Sequence, residues 1–120
     1  MATGSAIRKF AGTLVPFGIT VVTVAGEIDG GSAPGLQTQV LPLLQQNGAL
    51  ILDLAGVTYM SSAGLRVLLL LYRQAIARNG RVALAGVAET IKDTMAVTGF
   101  LKFFTVTDTV EQALTTLQQA

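Results

Sequence analysis

Two kinds of hydrophobic pattern alternate along this chain, separated by glycine-containing breaks. Short apolar runs predict strands, and apolar positions recurring every three or four residues predict amphipathic helices. Ile7 to Val15 reads as a weak first strand, diluted by Gly12 and by Arg8-Lys9. Ile19 to Ala25 is firmer and rich in β-branched residues. Gly26-Glu27-Ile28-Asp29-Gly30-Gly31-Ser32 breaks it. Ser32 and Asp29 are both candidate caps for a first helix, with Pro34 near its first turn. Leu36, Val40, Leu43 and Leu44 carry that helix toward Asn47-Gly48, and Pro42 inside the pattern predicts a kink or an early end.

Ala49 to Leu54 is a continuous apolar run of the kind found in a strand buried on both faces. Ala55 to Met60 reads as a connection. Ser61-Ser62 open a second helix that runs to about Arg78, where Asn79-Gly80 form a C-cap pair. Arg81 to Ala85 is another short strand, Ala88 to Val97 a third helix, and Phe103 to Val106 a last strand. Asp108 is the expected cap of a final helix carrying Val110, Ala113, Leu114 and Leu117. The order ββαβαβαβα predicts an α/β fold: a mixed, mostly parallel sheet of four or five strands with about four helices packed on it. Residues 1–120 read as one domain with a core over about 7–118.

Composition narrows what such a domain does. Eight Lys and Arg against seven Asp and Glu leave a net charge of +1. That excludes an electrostatic grip on nucleic acid, which needs many clustered cations, and a polybasic membrane patch. The chain has no Cys and no His. Disulfides, thiolate nucleophiles, Ser-His-Asp triads, the usual zinc sites and His bases are thereby removed. A protein that is not an enzyme, with no cofactor and no metal site, is the expectation. Arg8-Lys9 before the apolar stretch Phe10 to Ala25 superficially suggests a secretory signal, but Pro16, Gly18 and three threonines interrupt it. Two strands joined by a Pro16-Phe17-Gly18 turn explain it better. The longest uninterrupted apolar run is Val67 to Tyr72, far short of the roughly 18 residues a membrane span needs. No membrane insertion and a cytoplasmic location are therefore expected.

Two stretches carry candidate chemistry. Gly26 to Gly35 lies between a strand and a helix, where phosphate loops sit, but its spacing fits neither G-x-G-x-x-G nor a P-loop. Glu27 and Asp29 there read as solvated loop carboxylates. Met60-Ser61-Ser62-Ala63-Gly64-Leu65-Arg66 places two hydroxyls at a helix start. One serine suffices as an N-cap. A helix N-terminus also favours negative charge, so a phosphate on the other would be locally stabilised while adding roughly −1.5 to −2 charges. The second helix is apolar on nearly every side from Leu65 to Tyr72. Covering the sheet takes one face; neighbouring helices or another protein must take the rest.

The run Ile51-Leu-Asp-Leu-Ala-Gly-Val-Thr-Tyr-Met-Ser-Ser-Ala-Gly-Leu65 resembles the signature of STAS domains, specifically bacterial anti-sigma factor antagonists. Gly26-Glu27-Ile28-Asp29, Gly80 and Thr98-Gly99-Phe100 fall where that family has similar residues, so the resemblance spans nearly the whole chain. It implies a partner switch. In that family the dephosphorylated antagonist binds an anti-sigma factor that is also a serine kinase. The kinase phosphorylates the first Ser of the motif, and a PP2C-type, metal-dependent serine phosphatase reverses it. The matching position is Ser62. The family's preceding Asp is replaced by Ser61, which makes Ser61 an alternative acceptor, and its following Ser or Thr by Ala63. Glu27, Asp29, Ser61, Ser62, Ala63, Gly64 and Arg66 are the partner-binding candidates that follow. A second reading is a non-switching STAS module, such as a scaffold or a subunit of a membrane transport complex. A third, resting on the glycine-rich loop alone, is a nucleotide-binding enzyme.

Overall fold

A computed structural model describes residues 6–9 and 18–119 of the chain. They form one five-stranded sheet. Strand β1 (Ala6–Lys9) pairs antiparallel with β2 (Ile19–Ile28) at one edge. From β2 the order runs through β3 (Ala49–Met60), β4 (Arg81–Ala85) and β5 (Thr105–Thr107), each parallel to the one before. The helices are α1 (Ala33–Val40), α2 (Ser62–Ala77), α3 (Glu89–Val97) and α4 (Val110–Gln119). This is the predicted α/β order. The part of the expected first strand beyond Lys9, and Pro16-Phe17 of the expected turn, lie outside the described residues.

Side-chain alternation in the central strands sets the layers. Leu50, Leu52 and Leu54 of β3, with Val82 and Leu84 of β4, pack under α1, α2 and α3. Ala49 and Ile51, with Ala83 and Ala85, face Ala113 and Leu117 of α4 on the other side. Leu71 of α2 and Met95 of α3 are fully buried. The breadth of α2 is thus mostly spent on the core: Leu65, Val67, Leu68, Leu71 and Ala75 are buried, while Leu69, Leu70 and Tyr72 are half-buried. No described helix is long and apolar enough to cross a membrane.

Several boundaries differ from the sequence expectation, each for a local reason. Strand β2 does not stop at Ala25. Gly26 takes φ 93° and the pairing shifts register there, so the glycine makes a bulge and the strand continues to Ile28. Ala55 to Met60 is strand, not connection, because it pairs with that extension: Gly26 opposite Val57, Glu27 opposite Tyr59, Ile28 opposite Met60. The last strand begins at Thr105 instead of Phe103, because Leu101–Phe103 form a 3₁₀ turn that sets the Phe103 ring against Tyr72. Thr109, not Asp108, caps α4: its hydroxyl accepts from the Gln112 N–H at 3.1 Å, and the Gln112 side chain accepts from the Asp108 N–H at 3.0 Å. Neither Ser32 nor Asp29 caps α1 through its side chain in the expected way. Both are used inside the loop instead.

Other expectations hold. Pro42 follows a helix that ends at Val40 and lies in a 3₁₀ turn, Leu41–Leu43. Asn79 (φ 58°) and Gly80 close α2: the Gly80 N–H donates to the Ala75 carbonyl at 2.7 Å and the Asn79 N–H to Ile76 at 3.0 Å.

Candidate functional site

The overlong pair β2–β3 determines where the candidate site lies. Both strands run past the body of the sheet and end together, Ile28 beside Met60. The chain then turns directly into α2, and the Ser61 N–H donates to the Ile28 carbonyl at 2.8 Å. The loop after β2 and the start of α2 are tied side by side by this bond. Gly64 completes the junction. A Cβ there would stand 2.6 Å from Met60 Cγ and 2.8 Å from Ile28 Cγ2, so only glycine lets the first turn of α2 sit against the strand end.

The two serines have separate environments. Ser61 is extended and half-buried, and its hydroxyl accepts from the Gly64 N–H at 3.4 Å, a long cap bond. Ser62 is the first helical residue and is exposed. Its hydroxyl makes no hydrogen bond among the described residues. One serine caps and the other is free, as the sequence pattern anticipates. Arg66, one turn further along α2, is also exposed.

On the neighbouring loop, Ser32 is buried and points inward. Its hydroxyl donates to the Glu27 carbonyl at 2.8 Å and accepts from the Asp29 N–H at 3.0 Å. The Asp29 carboxylate accepts from the Gly31 N–H at 2.9 Å and the Ser32 N–H at 3.1 Å. Those amides, Ser32's first, hold the Asp29 carboxyl below its ordinary value of 3.8. The loop is therefore a preformed, negatively charged rim with Glu27 exposed beside it. Among the described residues no group of three metal-ligating side chains converges.

Glu27, Asp29, Ser62 and Arg66 are thus presented at one end of the sheet. Ser61 and Ala63 are half-buried, and Gly64 is buried. Their part is to shape the surface more than to offer side chains. Tyr59 escaped the sequence reading. It is 51% exposed and lines a hollow of about 190 Å³ with Thr58, Met60 and Thr90, Ile91 and Thr94 of α3. An aromatic on a segment taken for a loop carries little signal; recognising Ala55–Met60 as strand would have marked it as an outward-facing residue next to the serines.

A family model for the STAS domain matches residues 13–113. The chain belongs to the STAS domain family. The STAS domain described here is 35% identical over 78 residues to the anti-sigma-B factor antagonist of Bacillus subtilis, covering 65% of this chain and 72% of that one. It is 27% identical over 104 residues to BtrV of Bordetella bronchiseptica, named as an anti-sigma factor antagonist, covering 86% and 90%. A crystal structure of an anti-sigma factor antagonist from Mycobacterium paratuberculosis superposes with a TM-score of 0.77 at 27% identity, over 94% of this chain and 95% of that one. Two further likenesses show the fold alone. One is the Bacillus cell-fate determinant SpoIIAA in its phosphorylated form, with a TM-score of 0.70 at 19% identity over 93% and 99% of the two chains. The other is the STAS domain of a SulP transporter from Vibrio cholerae, with a TM-score of 0.70 at 22% identity over 89% and 85%.

Proposed function

We propose that this STAS domain is an anti-sigma factor antagonist that acts by binding and not by catalysis. In its dephosphorylated form it binds an anti-sigma factor that is also a serine kinase, and phosphorylation of Ser62 releases it. A PP2C-type phosphatase resets the switch in the cytoplasm. The observation that carries the reading is the exposed hydroxyl of Ser62, unbonded among the described residues, beside a hydrogen-bonded acidic loop, while the neighbouring Ser61 hydroxyl serves the helix cap. Glu27, Asp29, Ser62 and Arg66 form the contact surface, and Ala63 and Gly64 hold the first turn of α2 in place.

The physics of release follows from charge. Adding a dianion to a close-packed interface introduces repulsion from the partner and a desolvation cost. A loss of about 3–4 kcal/mol weakens binding roughly 150- to 1000-fold, without a change of backbone. The test is to incubate the protein with its cognate kinase and ATP and map the product by mass spectrometry. Phosphate on Ser62 is expected, and phosphate on neither Ser62 nor Ser61 overturns the reading. Ser62→Ala should bind the kinase constitutively and Ser62→Asp poorly.

A second reading follows from Ser61, which stands where the antagonist signature has Asp. Without that carboxylate the domain would serve as a non-switching interaction module, a scaffold or a subunit of a membrane transport complex. Co-purification with a transporter instead of a kinase would favour it.

A further inference from the structure

Well away from the serines, α2 borders a second surface with a different chemistry. Ten residues separate Ser62 from Tyr72, about 15 Å along the helix axis. There α2, the turn after α3 and the 3₁₀ turn Leu101–Phe103 enclose an open groove of about 410 Å³. Its wall is aromatic. The Tyr72 ring lies 5.2 Å from that of Phe103 and 5.7 Å from that of Phe104, so Tyr72 is fixed by packing while Phe103 remains 38% exposed. Phe100 also lines the groove.

The charge of this groove has one sign. Arg73 and Lys102 both line it and both are exposed. The salt bridge found among the described residues joins Lys92 to Glu89, elsewhere on α3. Arg73 and Lys102 have no carboxylate partner among the described residues, and the Lys102 ammonium sits 5.8 Å over the Phe103 ring. A second open hollow of about 300 Å³, lined by Ala96, Gly99, Leu101 and Lys102, shares Gly99 and Lys102 with the first. Val97 in the same turn of α3 is 87% exposed. The two hollows make one elongated apolar strip with cations along it. Small ligands are held where about 70–90% of their surface is buried, and a shallow open strip does not provide that. An extended segment spanning both hollows does fit, with an aromatic or aliphatic side chain as its anchor.

We infer that this strip docks an acidic segment of a partner protein, its apolar anchor against Tyr72 and Phe103 and its carboxylates at Arg73 and Lys102. The interaction is independent of the Ser62 switch and uses a different end of α2. It leaves the Ser62 surface uncovered, so both partners can bind at once.

The experiment is a titration of the ¹⁵N-labelled 120-residue chain with a capped peptide of sequence Asp-Glu-Phe-Leu-Asp-Glu, followed by amide chemical shifts. Saturable shifts at Tyr72, Arg73, Gly99 and Phe103 are expected, with Ser61 to Leu65 unmoved. The Arg73→Glu/Lys102→Glu double variant should lose about tenfold or more in affinity, as should the wild type in ~0.5 M NaCl, where charge attraction is screened. Both substitutions lie on exposed side chains, so the fold should survive them. A peptide with lysines in place of its acids should not bind. Absence of shifts at the strip, shifts confined to the Ser62 end, or equal binding of the lysine peptide would overturn the inference. So would shifts at the strip that grow with protein concentration alone, because they would make a second copy of the chain the occupant.

Discussion

The backbone N–H of Ser61 donates to the carbonyl of Ile28 at 2.8 Å, joining the end of β2 to the first residue before α2. Thirty-three positions of sequence are brought to one point by that bond, and the acidic loop and the serine pair share an edge because of it. Gly64 keeps the contact tight. Gly64→Val should therefore destabilise the domain by about 1–3 kcal/mol through overpacking against Ile28, read as a lower urea midpoint with an unchanged slope. It should also weaken partner binding, because the first turn of α2 is displaced.

The two serines should separate cleanly in a stability measurement. Ser61→Ala removes the cap of α2 and should cost about 0.5–1 kcal/mol, toward the low end of such losses because the bond is long. Ser62→Ala removes an exposed hydroxyl and should stay within about 0.5 kcal/mol of wild type. Ser61→Asp should cap as well and gain about 0.3–1 kcal/mol from the helix dipole. Thermal or urea unfolding of the three variants checks the order.

Acid should loosen the loop at Asp29. Its carboxyl is held below 3.8 by the amides of Ser32 and Gly31, so the charged form is favoured in the fold. The sign follows from linkage: the stabilisation is complete above the unfolded value near 3.8 and is lost as pH falls through the lower folded value. Wild type and Asp29→Asn should differ most in stability above that pH and converge below it. Urea titrations between about pH 2.5 and 6 read this directly. A constant difference across the range would contradict it.

A phosphate on Ser62 should not unfold the protein that carries it. It would sit on the first residue of α2, near free amides, with Arg66 one turn away. The thermal midpoint of the phosphorylated form should equal or exceed that of the unmodified one, while partner affinity collapses. The second ionisation of the phosphate should fall below about 6, and by less in Arg66→Ala; a ³¹P titration measures both.

Much of this was legible in the residues. Leu50, Leu52 and Leu54 against Ala49 and Ile51 announce a strand buried on both faces, and Asn79-Gly80 announces the close of α2. The division of labour between Ser61 and Ser62 follows from the rule that one cap needs one hydroxyl. What could not be read was tertiary. Gly26 and the Gly56-containing stretch Ala55 to Met60 look like chain breaks, and only the pairing of one with the other makes them strand. Ser32 looks like a helix cap, but its hydroxyl accepts from the Asp29 N–H instead of from the first turn of α1, and donates to the Glu27 carbonyl. Thr109 outdoes Asp108 because the Gln112 N–H lies three residues beyond it, while the Gln112 side chain accepts from the Asp108 N–H. Phe103 has the composition of a strand residue and serves instead as the wall of a groove.

The sheet is covered unequally, and that has a consequence for how the molecule comes apart. Among the described residues, three helices shield one face, whereas the other carries the ten residues of α4, anchored by Ala113, Leu117 and the Arg81 guanidinium on the Leu117 carbonyl at 2.8 Å. Peeling α4 away gives up far less buried surface than opening the opposite layer, so its amides should exchange with deuterium ahead of those in α2. Beneath it lies a shelf of Ala49, Ile51, Ala83 and Ala85, smooth and greasy once bared. Trimming the chain before Asp108 should turn a well-behaved domain into one that sticks to itself.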